Sequence, residues 1–465
     1  MTPPLLALAL ALTPLRASAD LKSVWFVSRH GSRAPDPVVT MVCPGLTSVV
    51  KKFSSIGVSP SGVTGNGLRE MYSVGTFARE RYILEAGFLS ETWDPREIYM
   101  DAASEPRTIQ SGSTMGQGMF AGPAHFESYR EPVPIFVNAT YGMDNLGETR
   151  KAGCALRLAR DKQRWDETHG AALWKKKEAI VHSLSQLCKV DLRLALDYSD
   201  GMDNLGDAIK DVTDLMMFAD REGFAAPWNM TLYEDARAIA LEQLYGRLFG
   251  TPQQRTYMVG MSPIAMLEHF NKSINPDEPQ PYLKMYGYHG HRELLYALAA
   301  FFKITYHFDR PGFRKFGIPS GTTLFFELHD INQTDVKRLG VDKDGLHVRL
   351  VVYAPCKKAL DKASGSADVL CFAKAYRFGF YPSNDYVPYD LFRQHIENQI
   401  QSTGTWKELC DYPPVVREKK PPQTCTDQDN NNTVFYATLY VAIGAAVAAL
   451  AFLLSAPWTS RCRRI

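Results

Sequence analysis

A histidine between two arginines lies near the beginning of the chain, within the stretch Ser28–Pro35. His30 offers a nucleophilic ring nitrogen. Arg29 and Arg33 carry planar, permanently charged guanidinium groups that match the oxygens of a phosphate group. Gly31 lets backbone amides approach an anion closely. These residue types at this spacing predict a loop that captures and transfers a phosphoryl group.

The apolar run Val24–Val27 comes directly before this loop and predicts a buried strand. Open α/β sheets bind ligands beyond the carboxyl ends of their strands, where this loop would lie. Other strand patterns occur at 97–100, 132–137, 282–288, 322–328 and 346–353, the last two as a hairpin. Helical patterns alternate with them, so we expect an α/β fold with a mainly parallel central sheet flanked by helices.

Strand patterns give way to helical ones from about 141 to 250. This change predicts a helical insert lobe within an α/β core formed by about 20–140 and 251–412. Together these segments form a predicted ectodomain, 20–412. Helices are expected in the lobe at 172–188, 207–218 and 233–249.

The composition indicates a globular protein, because 45% of the 465 residues are hydrophobic and 22% are charged. The net charge is only +2 and no basic block stands out, which argues against a nucleic-acid partner. No phosphate-binding P-loop and no zinc-type cysteine and histidine spacing occurs in the sequence. We therefore expect no cofactor and no metal.

The start of the chain predicts a signal peptide, residues 1–19. An apolar run, Leu5–Leu12, is followed by Ala17-Ser18-Ala19, which matches a signal-peptidase site. The expected context is therefore the secretory pathway.

The end of the chain predicts a membrane anchor. Residues 434–456 are apolar and uncharged, long enough for one transmembrane helix. A proline-containing stalk is expected at 413–433, and the arginines of 457–465 predict a cytosolic tail. We expect a single-pass type I membrane protein whose ectodomain is luminal or extracellular.

Cysteines and glycosylation sequons agree with that location. An oxidising compartment would pair most of the seven cysteines that precede the predicted span. Cys356 and Cys371 are a candidate pair because they are near neighbours across a polar loop. Cys425 in the stalk suits an interchain bridge, which leaves a homodimer open. Glycosylation sequons begin at Asn138, Asn229, Asn271, Asn332 and Asn431.

Four stretches in the order expected resemble the histidine acid phosphatases of the histidine phosphatase superfamily. The resemblance covers roughly 21–410 and is closest to the membrane-bound lysosomal and prostatic type. The stretches are Arg29-His30-Gly31-x-Arg33-x-Pro35, Val63-Thr64-Gly65-x-Gly67 through Arg79-Glu80-Arg81-Tyr82, Arg107-Thr108-x-x-Ser111, and Lys284-Met285-x-x-Tyr288-x-x-His291.

This resemblance implies an acid phosphatase that forms a phosphohistidine on His30. Arg29, Arg33 and Arg107 would clamp the phosphoryl oxygens, and His291 would hydrogen-bond to them. Three fixed positive charges neutralise a dianion without a metal. The same charges should depress the pKa of His30 and keep it neutral in mild acid. The expected substrates are small-molecule or protein phosphomonoesters, in an endosomal, lysosomal or cell-surface membrane.

One position departs from the family pattern, because the family's acidic proton donor follows its second histidine and this chain has Arg292 there. Glu293, one residue further on, is the candidate replacement. Alternatively, the site lacks an acid and is slow on poor leaving groups, since a general acid contributes about 10²–10⁴-fold. In a third interpretation the chain is an inactive membrane glycoprotein that acts in trafficking or binding.

Two further alternatives carry less weight. His329-Asp330 matches the His-Asp pair that the family has at its second histidine, but it falls where the family has a strand. A polar hairpin edge is the expected role. A phytase-like activity on inositol phosphates would need a strongly basic site, which no basic run in the sequence indicates.

Overall fold

The computed structural model describes residues 20–120, 133–137, 144, 146, 154–194, 205–275, 277, 283–305, 317–355 and 372–410. Within these ranges the chain forms an eight-stranded sheet flanked by helices. The predicted signal peptide, stalk, membrane span and tail lie outside the described residues. None of the helices within the described ranges is both long and apolar enough to cross a membrane.

The central sheet has the strand order β3-β2-β4-β1-β5-β6-β7, with β8 paired to β6. Its strands are β1 Asp20–Arg29, β2 Ile98–Ala102, β3 Phe136–Val137, β4 Met285–Gly290, β5 Thr323–Ile331, β6 Gly345–Ala354, β7 Phe372–Tyr376 and β8 Tyr386–Pro388. The four strands from β3 to β1 are parallel. The remaining pairs, from β1–β5 onward, are antiparallel.

The sheet is therefore mixed, and the expectation of a mainly parallel sheet holds only for the half that ends at β1. β5 runs antiparallel beside β1, and β6 runs antiparallel beside β5, which allows a short connection between β5 and β6. The expected pairing of the last two strand patterns is present as β5 and β6, although a short helix joins them.

Helices cover both faces of the sheet and form the region between β3 and β4. Three short segments of other helix types adjoin the α-helices: a 3₁₀ turn at Pro44–Leu46 and π-helical turns at Arg79–Glu85 and Asp166–Gly170. The helices are α1 Val39–Val42, α2 Thr47–Ser55, α3 Gly65–Ala78, α4 Pro106–Phe120, α5 Ala155–Trp165, α6 Ala171–Lys176, α7 Glu178–Cys188, α8 Leu205–Arg221, α9 Met230–Phe249, α10 Pro252–Val259, α11 Ser262–Ile274, α12 Arg292–Phe301, α13 Gln333–Leu339, α14 Tyr389–Thr403 and α15 Trp406–Leu409.

The core is organised by the alternation of side chains along β1. Val24 and Phe26 face α3 and α4, and Trp25 and Val27 face the core built on α10, α11, α12 and α14. All four side chains are at most 1% exposed. Each such burial contributes about 1.5–3 kcal/mol, so β1 is fixed firmly on both faces just before the loop that follows it.

A third core lies among helices α1, α2, α7, α8 and α9. The described part of 141–250 is helical, from α5 to α9. Two disulfides attach these helices to the rest of the chain: Cys43–Cys188 joins α7 to the segment after the first strand, and Cys154–Cys410 joins α5 to the end of α15. Cys356, Cys371, Cys425 and Cys462 lie outside the described residues.

Candidate active site

The loop that begins at His30 continues directly from β1 at the carboxyl end of the parallel strands. The His30 amide donates to the carbonyl of Gly290, at the end of β4. Its own carbonyl accepts from the amide of Gly321, just before β5. The backbone of His30 is therefore held by the elements on both sides of β1, at the sheet edge where open α/β folds bind ligands.

His30 is buried, with 4% of its surface exposed, and its ring has a defined orientation. Nδ1 lies 2.8 Å from the carbonyl oxygen of Gly31. A carbonyl only accepts, so Nδ1 carries the proton and Nε2 of the neutral ring keeps its lone pair. Burial lowers the pKa of His30 well below its usual value, and His291, Arg29, Arg107 and Arg33 lower it further. The ring is thus neutral in mild acid, with a lone pair on Nε2.

Two of the three predicted clamp arginines share one aromatic support. The guanidinium groups of Arg29 and Arg33 lie 5.7 and 4.9 Å from the ring centre of Phe218 on α8. Arg33 also contacts Asp36 at 2.9 Å. Burial raises the pKa of Asp36, but Arg33 and a hydrogen bond from Ser61 outweigh that effect and bring it down to about 2. Asp36 therefore stays ionised and holds Arg33 in place.

Glu105 connects the third arginine to the second histidine. Its carboxylate accepts a hydrogen bond from Nε2 of His291 at 3.2 Å and lies 3.9 Å from the guanidinium of Arg107. The rings of His30 and His291 lie edge to face, with their centres 5.4 Å apart. Residues from three separate stretches of the sequence thus meet around His30.

The loop packs against the start of α3 with no space for a side chain. A Cβ atom on Gly31 would lie 2.2 Å from the carbonyl oxygen of Gly67, and one on Gly67 would lie 2.1 Å from that of Ser32. Thr64 caps α3 by accepting from the Gly67 amide. The glycines of both motifs are therefore needed at the same contact.

Two carboxylates, the buried Glu70 and the half-buried Glu222, brace the loop from behind. Glu70 on α3 accepts from the Ser32 amide at 2.8 Å and forms a buried ion pair with Arg221 at the end of α8. Glu222 accepts from the hydroxyls of Ser32 and Thr64, both at 2.7 Å. These bonds connect the loop to α3 and α8 together, so a shift of either helix would move His30.

Arg292 and Glu293 form the first turn of α12, directly after His291. The guanidinium of Arg292 contacts both oxygens of Asp214 on α8, at 2.5 and 3.1 Å, and lies 3.3 Å from Glu293. Burial raises the pKa of Asp214, but Arg292 and Lys210 outweigh it and hold the carboxyl ionised. Burial and the nearby charge of Arg292 lower the pKa of Arg29 to about 10, where it is still cationic.

The predicted residues Arg29, His30, Arg33, Arg107 and His291 lie together, as the shared effects on the pKa of His30 show. Sequence analysis missed the residues that support them: Glu70, Glu105, Asp214, Phe218, Arg221 and Glu222. One signal was available, since Lys210 and Asp214 are oppositely charged and lie four residues apart on α8. The others need the fold.

His329 lies at the opposite end of the sheet, where it pairs in register with Leu21 at the beginning of β1. It is fully buried in an interior strand, and its Nε2 donates to Glu327 at 3.0 Å. Glu327 also pairs with Arg81 and accepts from Tyr82. The expectation of a hairpin edge is therefore wrong for His329, because β6 covers β5 on its other side.

Comparison with known families gives a match over residues 20–352 to the histidine phosphatase superfamily, branch 2. The chain belongs to this superfamily. The recognition of the family from four short motifs is thereby confirmed. The match begins at β1 and ends within β6, so it includes every residue around His30.

Individual relatives of this histidine phosphatase are distant. Lysosomal acid phosphatase of Xenopus laevis is 31% identical over 138 residues, which is 28% of this chain and 29% of that protein. The chain aligns with only 21–29% of the length of the curated relatives. Phytase from Citrobacter braakii has the same fold, with a TM-score of 0.60, 14% identity, and coverage of 82% of this chain and 98% of that one. Klebsiella phytase also has this fold, with a TM-score of 0.58, 14% identity, and coverage of 83% of this chain and 97% of that one.

Proposed function

We propose that this histidine phosphatase is an acid phosphatase, which hydrolyses phosphate monoesters through a phosphohistidine on His30. One observation carries the proposal: a buried, neutral histidine whose Nδ1 is tied to the Gly31 carbonyl, with Arg29, Arg33 and Arg107 close enough to lower its pKa. Neutral Nε2 supplies the nucleophile, and three cations stabilise the charge that spreads over the phosphoryl oxygens. The Xenopus relative carries the name acid phosphatase.

In the proposed first step, Nε2 of His30 attacks phosphorus and the bond to the ester oxygen breaks. The leaving oxygen takes a proton and departs as an alcohol. In the second step a water molecule attacks phosphorus, the bond to Nε2 breaks, and the water proton passes to the base that has lost one. His291 would donate a hydrogen bond to the phosphoryl group from Nδ1, as an imidazolium, because its Nε2 donates to Glu105 and orients the ring.

Glu293 is the proposed proton donor in the first step and the proton acceptor in the second. It lies in the first turn of α12, two residues after His291, with 12% of its side chain exposed. Arg292 at the preceding position is turned toward Asp214, so it does not itself occupy the place of an acid. The Glu293 carboxylate also lies 3.3 Å from the guanidinium of Arg292.

A second candidate function follows from the same contact. If the Arg292 charge keeps Glu293 ionised, the site binds phosphate but protonates alkyl leaving groups poorly. The chain would then be a weak or inactive phosphatase-like glycoprotein that acts in trafficking or binding. The orientation of the His30 ring favours the enzyme, because a bare phosphate cradle does not require it.

We also propose that the protein is anchored by residues 434–456 in an endosomal, lysosomal or cell-surface membrane. The name of the lysosomal relative from Xenopus supports the organelle. Asn229, Asn271 and Asn332 are exposed, as glycan acceptors must be, and Asn138 and Asn431 lie outside the described residues. Carbonate extraction of membranes from expressing cells, before and after deletion of 434–456, tests the anchor.

Turnover of two substrates tests the activity. Wild type is expected to hydrolyse an aryl phosphate and an alkyl phosphate at mildly acidic pH, and His30→Ala is expected to hydrolyse neither. If wild type hydrolyses neither substrate, the result contradicts the proposed enzyme activity and favours a binding protein. His329→Ala provides a matched control, because that histidine is buried in the same sheet at its other end.

A further inference from the structure

A small cavity lies beside the phosphate cradle, between the helices α8 and α9 and the first turns of α12. It measures about 30 Å³, and His30, Arg33, Arg107 and His291 do not line it. Its polar walls are Arg29, Thr213, Asp214, Arg237, Arg292 and Tyr296. Arg29 belongs to both the cradle and the cavity, so a ligand in one is next to a ligand in the other.

The cavity has more positive than negative charge on its walls. Three guanidinium groups face it, and Asp214 is the carboxylate that lines it. Asp214 is already engaged by Arg292 through both oxygens. Behind the wall, Lys210 lies 3.0 Å from Asp211 and 3.6 Å from Asp214, and Glu293 lies 3.3 Å from Arg292. These neighbours comprise two cations and three carboxylates, so together with Arg29 and Arg237 the group carries one net positive charge.

Arg29 has hydrogen-bonding capacity that the protein does not use. It is 2% exposed, and one of its terminal nitrogens donates to the carbonyl of Ile318. Its Nε is buried and has no hydrogen-bond partner among the described residues. A buried, unpaired donor on a cation costs free energy that an anionic ligand would recover.

Arg237 is the second available cation. Its guanidinium stacks on Tyr233 and receives no carboxylate within 4.0 Å from the part of the chain that the structure describes. A Cβ atom on Gly317 would lie 2.7 Å from Nη2 of Arg237 and 3.5 Å from the Tyr296 hydroxyl. That hydroxyl accepts from the Ile318 amide, so its own proton is left to donate. Arg237 and Tyr296 thus place two donors beside the glycine at the cavity wall.

We propose that this cavity binds a carboxylate on the leaving group, so that the favoured substrates are phosphomonoesters of carboxylate-bearing alcohols or phenols. Arg29, Arg237 and the Tyr296 hydroxyl would donate to the carboxylate while the phosphoryl group occupies the cradle. A cavity of about 30 Å³ has space for about two water molecules, which suits a carboxylate rather than a polyphosphorylated ring. The inference rests on the proposed phosphatase activity.

The experiment compares kcat/KM for 3-carboxyphenyl phosphate with kcat/KM for its neutral methyl ester. The ratio is measured in wild type, Arg237→Gln and Arg164→Gln, an exposed arginine of α5 that does not line the cavity. Each variant meets the same two leaving groups, so their intrinsic reactivities cancel between variants. We expect the ratio to fall about tenfold in Arg237→Gln, the loss of one charge-assisted hydrogen bond. Arg164→Gln should keep the wild-type ratio.

An unchanged ratio in Arg237→Gln, with the methyl ester still hydrolysed, overturns the subsite and leaves the phosphatase intact. No hydrolysis of either ester by wild type instead overturns the proposed function. If Arg237→Gln does not fold, product inhibition of wild type decides the question. 3-Hydroxybenzoate should then inhibit phenyl phosphate hydrolysis and bind together with inorganic phosphate, whereas its methyl ester should not inhibit. Equal inhibition by both contradicts the proposal, as does mutual exclusion of 3-hydroxybenzoate and phosphate.

Discussion

The carboxylate of Asp214 binds the guanidinium of Arg292 through both oxygens, at 2.5 and 3.1 Å. This pair joins α8 to α12 across the candidate site and neutralises a cation that would otherwise face Arg29. Arg292 occupies the position at which the family resemblance implies an acid, and its partner comes from a helix about 80 residues earlier in the chain. The departure from the family pattern is therefore accompanied by a second, compensating residue.

Loss of Asp214 should destabilise the protein, because it leaves Arg292 and Lys210 buried without it. We expect Asp214→Asn to lower the free energy of unfolding by about 3–5 kcal/mol, the usual result of breaking one side of a buried pair. The double variant Asp214→Asn/Arg292→Gln should be less destabilised than the single one. Chemical denaturation of wild type, Asp214→Asn and the double variant measures this, and a double variant at least as destabilised as Asp214→Asn would contradict the pairing.

Glu293→Gln should separate the two kinds of leaving group. The acidic phenol of an aryl phosphate leaves without protonation, whereas the alcohol of an alkyl phosphate needs a proton from a general acid. Such an acid contributes about 10²–10⁴-fold to the rate. We expect kcat/KM for the alkyl ester, which reports formation of the phosphohistidine, to fall within that range, and kcat/KM for the aryl ester to change little. Glu242→Gln, an exposed glutamate of α9, is the matched control. Equal losses on both esters would assign Glu293 a structural role.

Glu70→Gln should lower kcat, although Glu70 acts through the loop and not on the substrate. The change keeps an acceptor for the Ser32 amide but leaves Arg221 buried without its carboxylate. Since a displacement of about 1 Å costs about 10²-fold in rate, we expect kcat to drop at least tenfold. Arg69→Gln, on the neighbouring exposed position of α3, should behave as wild type. Stopped-flow or steady-state kinetics with an unchanged KM would distinguish a displaced nucleophile from lost binding.

The acid limb of the pH–rate profile should report protonation of the His30 ring. The neutral ring is the nucleophile and its pKa is lowered, so activity persists as the pH falls through 6.5 and is lost only near the lowered value. Arg107→Gln removes one cation that lowers this pKa. Its acid limb should therefore move to higher pH, whatever its maximal rate. Arg96→Gln, at an exposed position, should not move the limb. An acid limb at the same pH in both variants contradicts the assignment.

Residues close in sequence to a strand end could be predicted, because parallel strands bring their carboxyl ends to one edge. Arg29 ends β1, and His30, Arg33, Arg107 and His291 follow the ends of parallel strands. The residue types of Arg29, His30 and Arg33 indicate phosphate, whereas Arg107 and His291 need the family resemblance. The direction of β5 could not be predicted in the same way. A buried strand pattern is the same for either direction, and only its pairing with β1 decides it.

The supporting residues could not be predicted from the sequence, for a different reason. Glu70 and Asp214 lie on helices whose sequence patterns do not show which face meets the loop, and Glu222 lies directly after α8. Their contacts depend on how α3 and α8 pack around β1, and a charged residue on a helix is usually solvated. The role of Arg292 likewise depends on Asp214, which no local motif connects to it.

The central claim is that His30 carries the phosphoryl group, and trapping the intermediate tests it most directly. Wild type is mixed with an aryl phosphate at mildly acidic pH, quenched in denaturant at alkaline pH, where phosphohistidine survives, and digested for mass spectrometry. The account predicts one phosphoryl group on the peptide that contains His30, none in His30→Ala, and a longer-lived adduct in Glu293→Gln. Turnover without a labelled His30 peptide, or a phosphoryl group on another residue, would contradict it.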